Sequence, residues 1–462
     1  MNVIARHSAR AATALALALT LALAMPMRAH AQQPAPQRLS LADAVRIASR
    51  QSALVQTAGL RTAQAQAQVS ESRSAFLPNL RAGATESEVT LNSATFGFNF
   101  PSQPGQPPLL NPLGQVIGPV TTLDMRASAT QTLFDPAALG RLRASQAGAA
   151  AVGVGESAAA EQAAAQAASA YVLALRADAQ LSARLADSSL AADLLTIAQD
   201  QLSAGVGVGL DVTRAESQLV GVKAQLIAAR NDEDRSRLTL ARALNLPLET
   251  PITLTDSLTM LDDEPGAESG PTDVDAAVAL AMRQRPDVRA LEAQLRASRA
   301  QINAVRDERL PTVNAFGNGG YIGLRLSHLL ATYVWGVELS VPVFDGNRRG
   351  ARVTQQDAAM REIQVRERDL QQQVAADVRG AVLDLSSARQ AVDAAHERVR
   401  LAEQEVSQAR DRFRAGVAGN ADVITASLTL NNARTQLIDS ETAFQSARVA
   451  LARAEGRTTS LR

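Results

Sequence analysis

The 462-residue chain balances 46 basic against 46 acidic side chains, and its 46% apolar share is built from Ala, Val and Leu, with only 3% aromatic residues. That is the composition of long helices, and the neutral balance carries no nucleic-acid-binding electrostatics. There is no cysteine, which excludes disulfides and a lipidated N-terminal cysteine.

Residues 1–31 read as a secretory leader: Arg6 and Arg10 precede an apolar run from Ala11 to Met25, and Ala29-His30-Ala31 supplies a small-x-small cleavage site. The run is shorter than the roughly 20 residues of a membrane-spanning helix. Removing Arg6, Arg10 and Arg28 from the 46 basic residues leaves 43 against 46 acidic ones, so the mature chain, starting near Gln32, is slightly acidic. After a Pro-containing lead to Arg38, a helix is expected from Ser40, with Asp43 in its first turn, to about Phe76, where Leu77-Pro78 stops it.

The period then changes from helix to strand. Leu123, Met125, Ala127, Ala129 and Leu133 alternate with Asp124, Arg126, Ser128, Thr130 and Thr132, a strand with one wet face. A weaker alternation between Arg81 and Asn92 makes its partner, and Phe100 to Pro119, rich in Pro, Gly, Gln and Asn, reads as an exposed loop. Phe134-Asp135-Pro136 returns the chain to a helix that runs to about Ser203. There Leu202-Ser203-Ala204-Gly205-Val206-Gly207-Val208-Gly209-Leu210-Asp211-Val212 forms a hairpin tip, in which glycine ends one helix and Asp211 caps the next. The second helix ends near Asn245-Leu246-Pro247, and Leu248 to Asp273 form a partly structured connector.

The second half repeats this order. Asp275-Ala276-Ala277-Val278 answers Leu41 to Val45, Leu310-Pro311 answers Leu77-Pro78, and Val343-Phe344-Asp345 answers Leu133-Phe134-Asp135. A second tip, Phe413-Arg414-Ala415-Gly416-Val417-Ala418-Gly419-Asn420-Ala421-Asp422-Val423, answers the first. An ordered series of matches outweighs any single motif. The expected layout is a leader (1–31), a first repeat (32–247; hairpin about 79–134, tip 204–211), a connector (248–273), a second repeat (274–455; hairpin about 312–344, tip 415–422) and a tail (456–462). The last strand is the clearest: Tyr333, Trp335, Val337, Leu339, Val341 and Val343 share a face, opposite Val334, Gly336, Glu338, Ser340 and Pro342. That face suits either lipid, with Trp335, Tyr321 and Tyr333 as an aromatic girdle, or the inside of a soluble sandwich.

The second-half helices carry heptads, Val378, Ala381, Leu385, Ala388, Val392, Ala395, Val399, Ala402, Val406, Ala409 and Phe413, resuming at Val423, Ala426, Leu430 and Ala433. Large residues alternating with Ala let antiparallel helices approach closely. In the first half the pattern runs from Val212 to Ala229 and breaks at Glu233. At about 1.5 Å per residue the helix between first hairpin and first tip spans roughly 100 Å, and the shorter helices, stacked end to end, match it. The expected shape is a rod with both tips at one end and both hairpins at the other. Four strands in a bilayer would leave unpaired edges, so closure requires several chains.

The twofold repeat, the Leu-Pro before and Phe-Asp after each hairpin, and the Gly-x5-Asp-Val tips at Gly205 to Val212 and Gly416 to Val423 resemble the TolC family of outer-membrane efflux factors over nearly the whole mature chain. The resemblance implies a mainly α fold with a transmembrane β-barrel. Three chains would give four strands each to a twelve-stranded barrel, continued by a long coiled-coil periplasmic tunnel, and residues 248–273 would belong to an equatorial belt. It implies a homotrimer in the outer membrane, in contact with its lipid, acting as the exit duct of a tripartite efflux or type I secretion system. The implied partners are a periplasmic adaptor and an inner-membrane pump of the RND, ABC or MFS type, with no cofactor. Ala204, Gly205, Val206, Ala415, Gly416 and Val417 match the positions that meet the adaptor. Asp422 matches an aspartate that forms an acidic ring at the periplasmic entrance, with Asp211 as its counterpart in the first tip; helix capping is the other reading of both. The family's second acid falls at Thr425 and its arginine at Ala418, so this chain departs from the two-layer gate.

Only His328 and His396 remain in the mature chain, with no HExxH and no phosphate loop, so the sequence offers no equipment for metal or nucleophilic catalysis. Besides a duct, two readings fit parts of the pattern. A periplasmic coiled-coil scaffold explains the heptads but not two alternating hairpins in equivalent places. A hydrolase or binding protein with helical decoration lacks a site.

Overall fold

The computed structural model describes residues 37–96, 114–259 and 273–461. The expected leader, most of the loop from Phe100 to Pro119 and the central part of the connector lie outside the described residues. In chain order the elements are β1 (Gln37–Leu39), α1 (Leu41–Gln51), α2 (Ala53–Ser74), β2 (Asn79–Asn92), β3 (Val116–Phe134), α3 (Pro136–Ser203), α4 (Gly209–Ala243), β4 (Ile252–Leu254), α5 (Val274–Gln284), α6 (Pro286–Asp307), β5 (Thr312–Gly323), β6 (Leu330–Ser340), α7 (Arg348–Arg414) and α8 (Asn420–Glu455).

The two shorter helical stretches, expected as single helices, are each broken once. Ser52 has extended backbone and its hydroxyl accepts the Val55 N–H at 3.3 Å, so a fresh N-cap divides α1 from α2. Between α5 and α6 the cause is Pro286 at the first helical position, where its missing N–H costs nothing. The Arg285 guanidinium fastens that joint, bonding Asp287 at 2.7 Å, Asp377 at 3.0 Å and the Ala454 carbonyl at 3.4 Å. Strand bounds shift as well. β3 begins at Val116, so the end of the expected loop is strand, and β6 ends at Ser340, leaving Val341, Pro342 and Val343 beyond it.

The chain forms two compact units, between which the long helices α3, α7 and α8 pass. One contains residues 170–264 and 397–442 together with the N-terminal segment. Here β1 and β4 pair in parallel, Gln37 with Ile252 and Leu39 with Leu254, which gives the lead and the connector more order than their composition suggests. The hydroxyl of fully buried Tyr171 lies 2.9 Å from the Leu39 carbonyl and 3.0 Å from Asp256 Oδ2, and the same carboxylate oxygen accepts the Leu41 N–H at 2.8 Å at the start of α1. Burial first, and the Asp256 charge second, push the Tyr171 phenol well above its ordinary pKa, so it stays a neutral donor. The helical seam of this unit buries Ala402, Val406, Leu430 and Ala433 in one layer. Leu194, Ala198, Ala215, Phe413 and Val423 form another, the last three at heptad positions.

The other unit holds the sheet, in the order β2-β3-β5-β6, antiparallel throughout, with β2 and β6 as its edges. It also holds a helical core of Val374, Val378, Ala381, Leu385 and Val392 against Phe444, Ala447 and Leu451, onto which α5 and α6 lay Ala277, Ala281 and Val288. Alternating large and small residues pack this core as they do the seam.

Candidate functional site

Two surfaces carry the features that the sequence singles out: the helical turns and the sheet. Each turn is built by its glycine. Gly205 and Gly416 take φ of +75° and +69°, a conformation that costs other residues energy. With it, the Val206 N–H reaches back to the Gln201 carbonyl at 3.1 Å and the Gly205 N–H to Leu202 at 3.0 Å; Val417 and Gly416 do the same to Arg412 and Phe413, both at 3.0 Å. This pair of bonds is the Schellman closure, which satisfies helix-end carbonyls that would otherwise have no partner. The same closure ends α4 at Asn245, φ +56°, and α8 at Gly456, φ +73°.

The first residues of the following helices are arranged differently from the capping expected of Asp211 and Asp422. α4 starts at Gly209 with Val208 as its N-cap and no side-chain cap bond, so Asp211 sits in the first turn, half-buried and 3.9 Å from Arg214. α8 starts at Asn420, and Asp422 is an exposed first-turn residue. Both carboxylates therefore act on the helix through its dipole rather than through a cap bond. Thr425 turns its hydroxyl back to the Ala421 carbonyl at 2.9 Å. Ala204, Gly205, Val206, Ala415, Gly416 and Val417 are all exposed, Val206 and Val417 by 79% and 68%, large values for valine that leave each turn with an apolar tip.

The structure brings the two turns together through residues that the sequence analysis did not single out. Gln201 Nε2 donates to the Phe413 carbonyl at 2.8 Å, and Asn420 Nδ2 donates to the Asp211 carbonyl at 2.8 Å. Further along the helices, Asp187 is buried between Arg184, at 3.2 Å, and Arg434, at 3.3 Å. Arg434 reaches on to Glu403 at 3.3 Å, and Arg184 bonds Asn431 and Thr435. Burial raises the Asp187 carboxyl above its ordinary pKa, and the two arginines only partly offset this. Apart from Arg184–Asp187, three residues apart on one helix, these contacts join different helices, and no amino-acid pattern announces them.

On the sheet, register decides which residues share a face. Leu80 pairs with Ala129, Ala129 with Gly317 and Gly317 with Trp335; the next row on the same face is Ala82, Ala127, Gly319 and Tyr333. The opposite face collects Arg81, Ser128, Asn318 and Val334 in one row and Gly83, Arg126, Gly320 and Thr332 in another. Arg126 Nε is held by Asp124 at 2.6 Å there. Between the rows of Ala129 and Met125 one face is thus apolar across all four strands, with Glu86 entering it one row further on beside Leu123, and the other face is predominantly polar. Gln131, which falls on the apolar face, donates its amide to the Phe76 carbonyl at 2.7 Å, so its polar end is satisfied at the foot of the strand. On the apolar face Trp335 and Tyr333 are 77% and 81% exposed, more than a water-facing sheet would leave. Among the described residues, no helix is long and apolar enough to cross a membrane.

A family model described as outer membrane efflux protein matches residues 44–246 and 277–457, more than half of the chain. No curated protein matches by sequence. Among solved structures, the chain is similar to the outer membrane protein VceC of Vibrio cholerae, at 18% identity and a TM-score of 0.69, over 90% of this chain and 96% of that one. The outer membrane channel CmeC of Campylobacter jejuni matches at 18% identity and a TM-score of 0.70, over 90% and 86% of the two chains. The MtrE outer membrane channel of Neisseria gonorrhoeae, in its open state, matches at 20% identity and a TM-score of 0.70, over 90% and 88%.

Proposed function

The chain belongs to the outer membrane efflux protein family, and from that premise we propose that it is the exit duct of a tripartite export machine, a passive channel through which a pump and adaptor discharge small molecules or proteins. The observation that carries this reading is the sheet: an apolar face across four strands, a predominantly polar face behind it, and two edges, β2 and β6, that pair with nothing among the described residues. Unpaired edges are untenable in hydrocarbon. Three copies joined edge to edge make a closed barrel of twelve strands, with Trp335 and Tyr333 toward lipid and Arg126 toward the lumen. On β3 the apolar face runs from Leu123 to Leu133, about 33 Å along the strand at roughly 3.3 Å per residue. At a barrel tilt near 40° that is about 25 Å of height, the apolar band of an outer-membrane barrel.

In this reading the helices form the periplasmic tunnel, the exposed turns are its entrance, and Val206 and Val417 are offered to the adaptor. Three copies of Asp422 make a single acidic ring, which favours cations. Outer-membrane fractionation with unboiled gels tests the assignment: a heat-sensitive trimer in the membrane fraction is expected, whereas a soluble monomer would return the chain to the scaffold reading. Bulky charged residues at Gly205 or Gly416 are expected to abolish export while leaving the trimer intact.

A further inference from the structure

We infer that α6 carries a docking strip for an extended carboxylate-bearing polymer, the chemistry of the bacterial cell wall, with Arg289, Arg296, Arg299 and Arg306 as its contacts. The strip belongs to the single chain; that it looks outward into the periplasm rests on the duct reading.

Position on α6 repeats every seven residues. Val288, Leu295 and Ile302 are buried on one flank, where Val288 shares a core with Val374 and Val378 of α7. Ala304 is buried on the other flank against α3, whose Gly140 is so close that a Cβ there would lie 2.7 Å from Ala304 Cα. Helices of the same chain therefore cover both flanks, and further chains leave the two remaining faces open. One holds Arg289, Arg296 and Asn303 and, beside them, Glu292, Arg299 and Arg306, all exposed. The other holds Gln294, Gln301 and Glu308. Glu308, paired with Arg352 at 2.6 Å, shares a hollow of about 270 Å³ with Thr312 and Ser340. Those two pair across β5 and β6 in the predominantly polar face of the sheet. In the duct reading that face lines the lumen, so the arginines face out.

Four guanidiniums stand on this strip against one carboxylate. Among the described residues, the ion pairs of α6 use Asp287 with Arg285 and Glu308 with Arg352, and none of these four arginines. Arg296 and Arg299, three apart, are neighbouring like charges, which cost a bare helix stability and which a bound anion relieves. The matching helix of the first repeat, α2, has only Arg61 and Arg73 with Glu71, so the fold does not demand the strip. Length selects the anion. Arg289 and Arg306 are about 26 Å apart at 1.5 Å per residue. The headgroup layer beside the hydrocarbon is only about 5–8 Å deep, so a lipid at the foot of β5 reaches Arg306 and leaves the other three uncovered. A polymer lying along the tunnel reaches all four, and its carboxylates match the forked donors of arginine.

The probe is purified, insoluble cell-wall sacculi, mixed with full-length trimers in nanodiscs of zwitterionic lipid and sedimented. Trimers should pellet with the sacculi at about 0.05 M salt and at least fivefold less at about 0.5 M, where charges are screened within a few ångströms. Sacculi whose carboxylates have been amidated should also capture at least fivefold less. Arg289→Gln/Arg296→Gln/Arg299→Gln/Arg306→Gln should lose the pelleting, whereas Arg61→Gln/Arg73→Gln on α2 should keep it. If the fourfold variant does not assemble, amidated sacculi carry the test on unaltered protein. Equal pelleting of the two variants, or equal capture by amidated and untreated sacculi, would overturn the inference. So would a fourfold variant that pellets normally but no longer co-purifies with anionic lipid, because the strip would then serve headgroups. Pelleting that ignores the arginines removes the docking strip alone; a soluble monomer would instead remove the duct reading.

Discussion

Replacing Ala129 by arginine, with Thr130→Arg beside it as the control, separates a lipid-facing sheet from any soluble one. The two residues are consecutive on β3 and both exposed in the single chain, yet they lie on opposite faces: Ala129 in the row of Leu80, Gly317 and Trp335, Thr130 in the row of Asn79, Phe316 and Gly336. Steric conflict is no explanation for damage at Ala129, which lines an open groove of about 560 Å³ floored by small residues such as Ala127, Gly317 and Gly319. In water, either arginine would cost only the few tenths of a kcal/mol typical of exposed sites. On the lipid face of a barrel an arginine costs about 2–4 kcal/mol near the midplane, and on the lumen face it mainly tunes selectivity. A closed barrel of three chains carries the substitution three times, about 6–12 kcal/mol if the sites act independently. The assay is the amount of heat-sensitive trimer in outer-membrane fractions at matched expression. Ala129→Arg should lose nearly all of it and Thr130→Arg should retain most. Equal yields of the two, or the greater loss at Thr130, would refute the face assignment and the membrane reading built on it.

Three further predictions concern the helical part. Gly416→Ala places its Cβ in open space, so its cost is that of the left-handed backbone alone, about 1–2 kcal/mol; amide exchange at Gly416 and Val417 should quicken by roughly tenfold while the rest of α7 is unchanged. Asp187→Asn tests linkage. A carboxyl whose pKa is raised on folding opposes stability while ionised, and that opposition is relieved as pH falls through the raised value, so the variant should gain on the wild type near neutrality and the gap should narrow on acidification. A gap in heat-dissociation midpoint that stays constant with pH would contradict this. Asp422→Ala should lower cation selectivity in planar bilayers, and unchanged selectivity would leave Asp422 with only its role in the helix dipole.

The parts of the fold governed by local chemistry were legible from the residues. Gly205 and Gly416 mark the turns because only glycine takes their backbone conformation cheaply, and the alternation around Trp335 marks a strand because side chains must alternate across a sheet. The break at Ser52 was not legible, since strong helix formers flank it and its capping bond is a choice between two allowed helical paths. Pro286 did carry a signal, a proline at a first helical position, that a continuous apolar period concealed. β1 and β4 are three residues long and exist only because distant segments meet. For the candidate site, the sequence located the turns and left Asp211 and Asp422 between a ring at the entrance and a helix cap; each helix starts two residues before its aspartate. Gln201 and Asn420 were invisible because their partners are backbone carbonyls, which every residue possesses.

The most direct measurement of the central claim is single-channel recording from full-length protein extracted as trimers and added to a planar bilayer. A duct of three chains predicts discrete conductance steps, cation-selective and reduced in selectivity by Asp422→Ala. Trimers that insert and conduct nothing would contradict it.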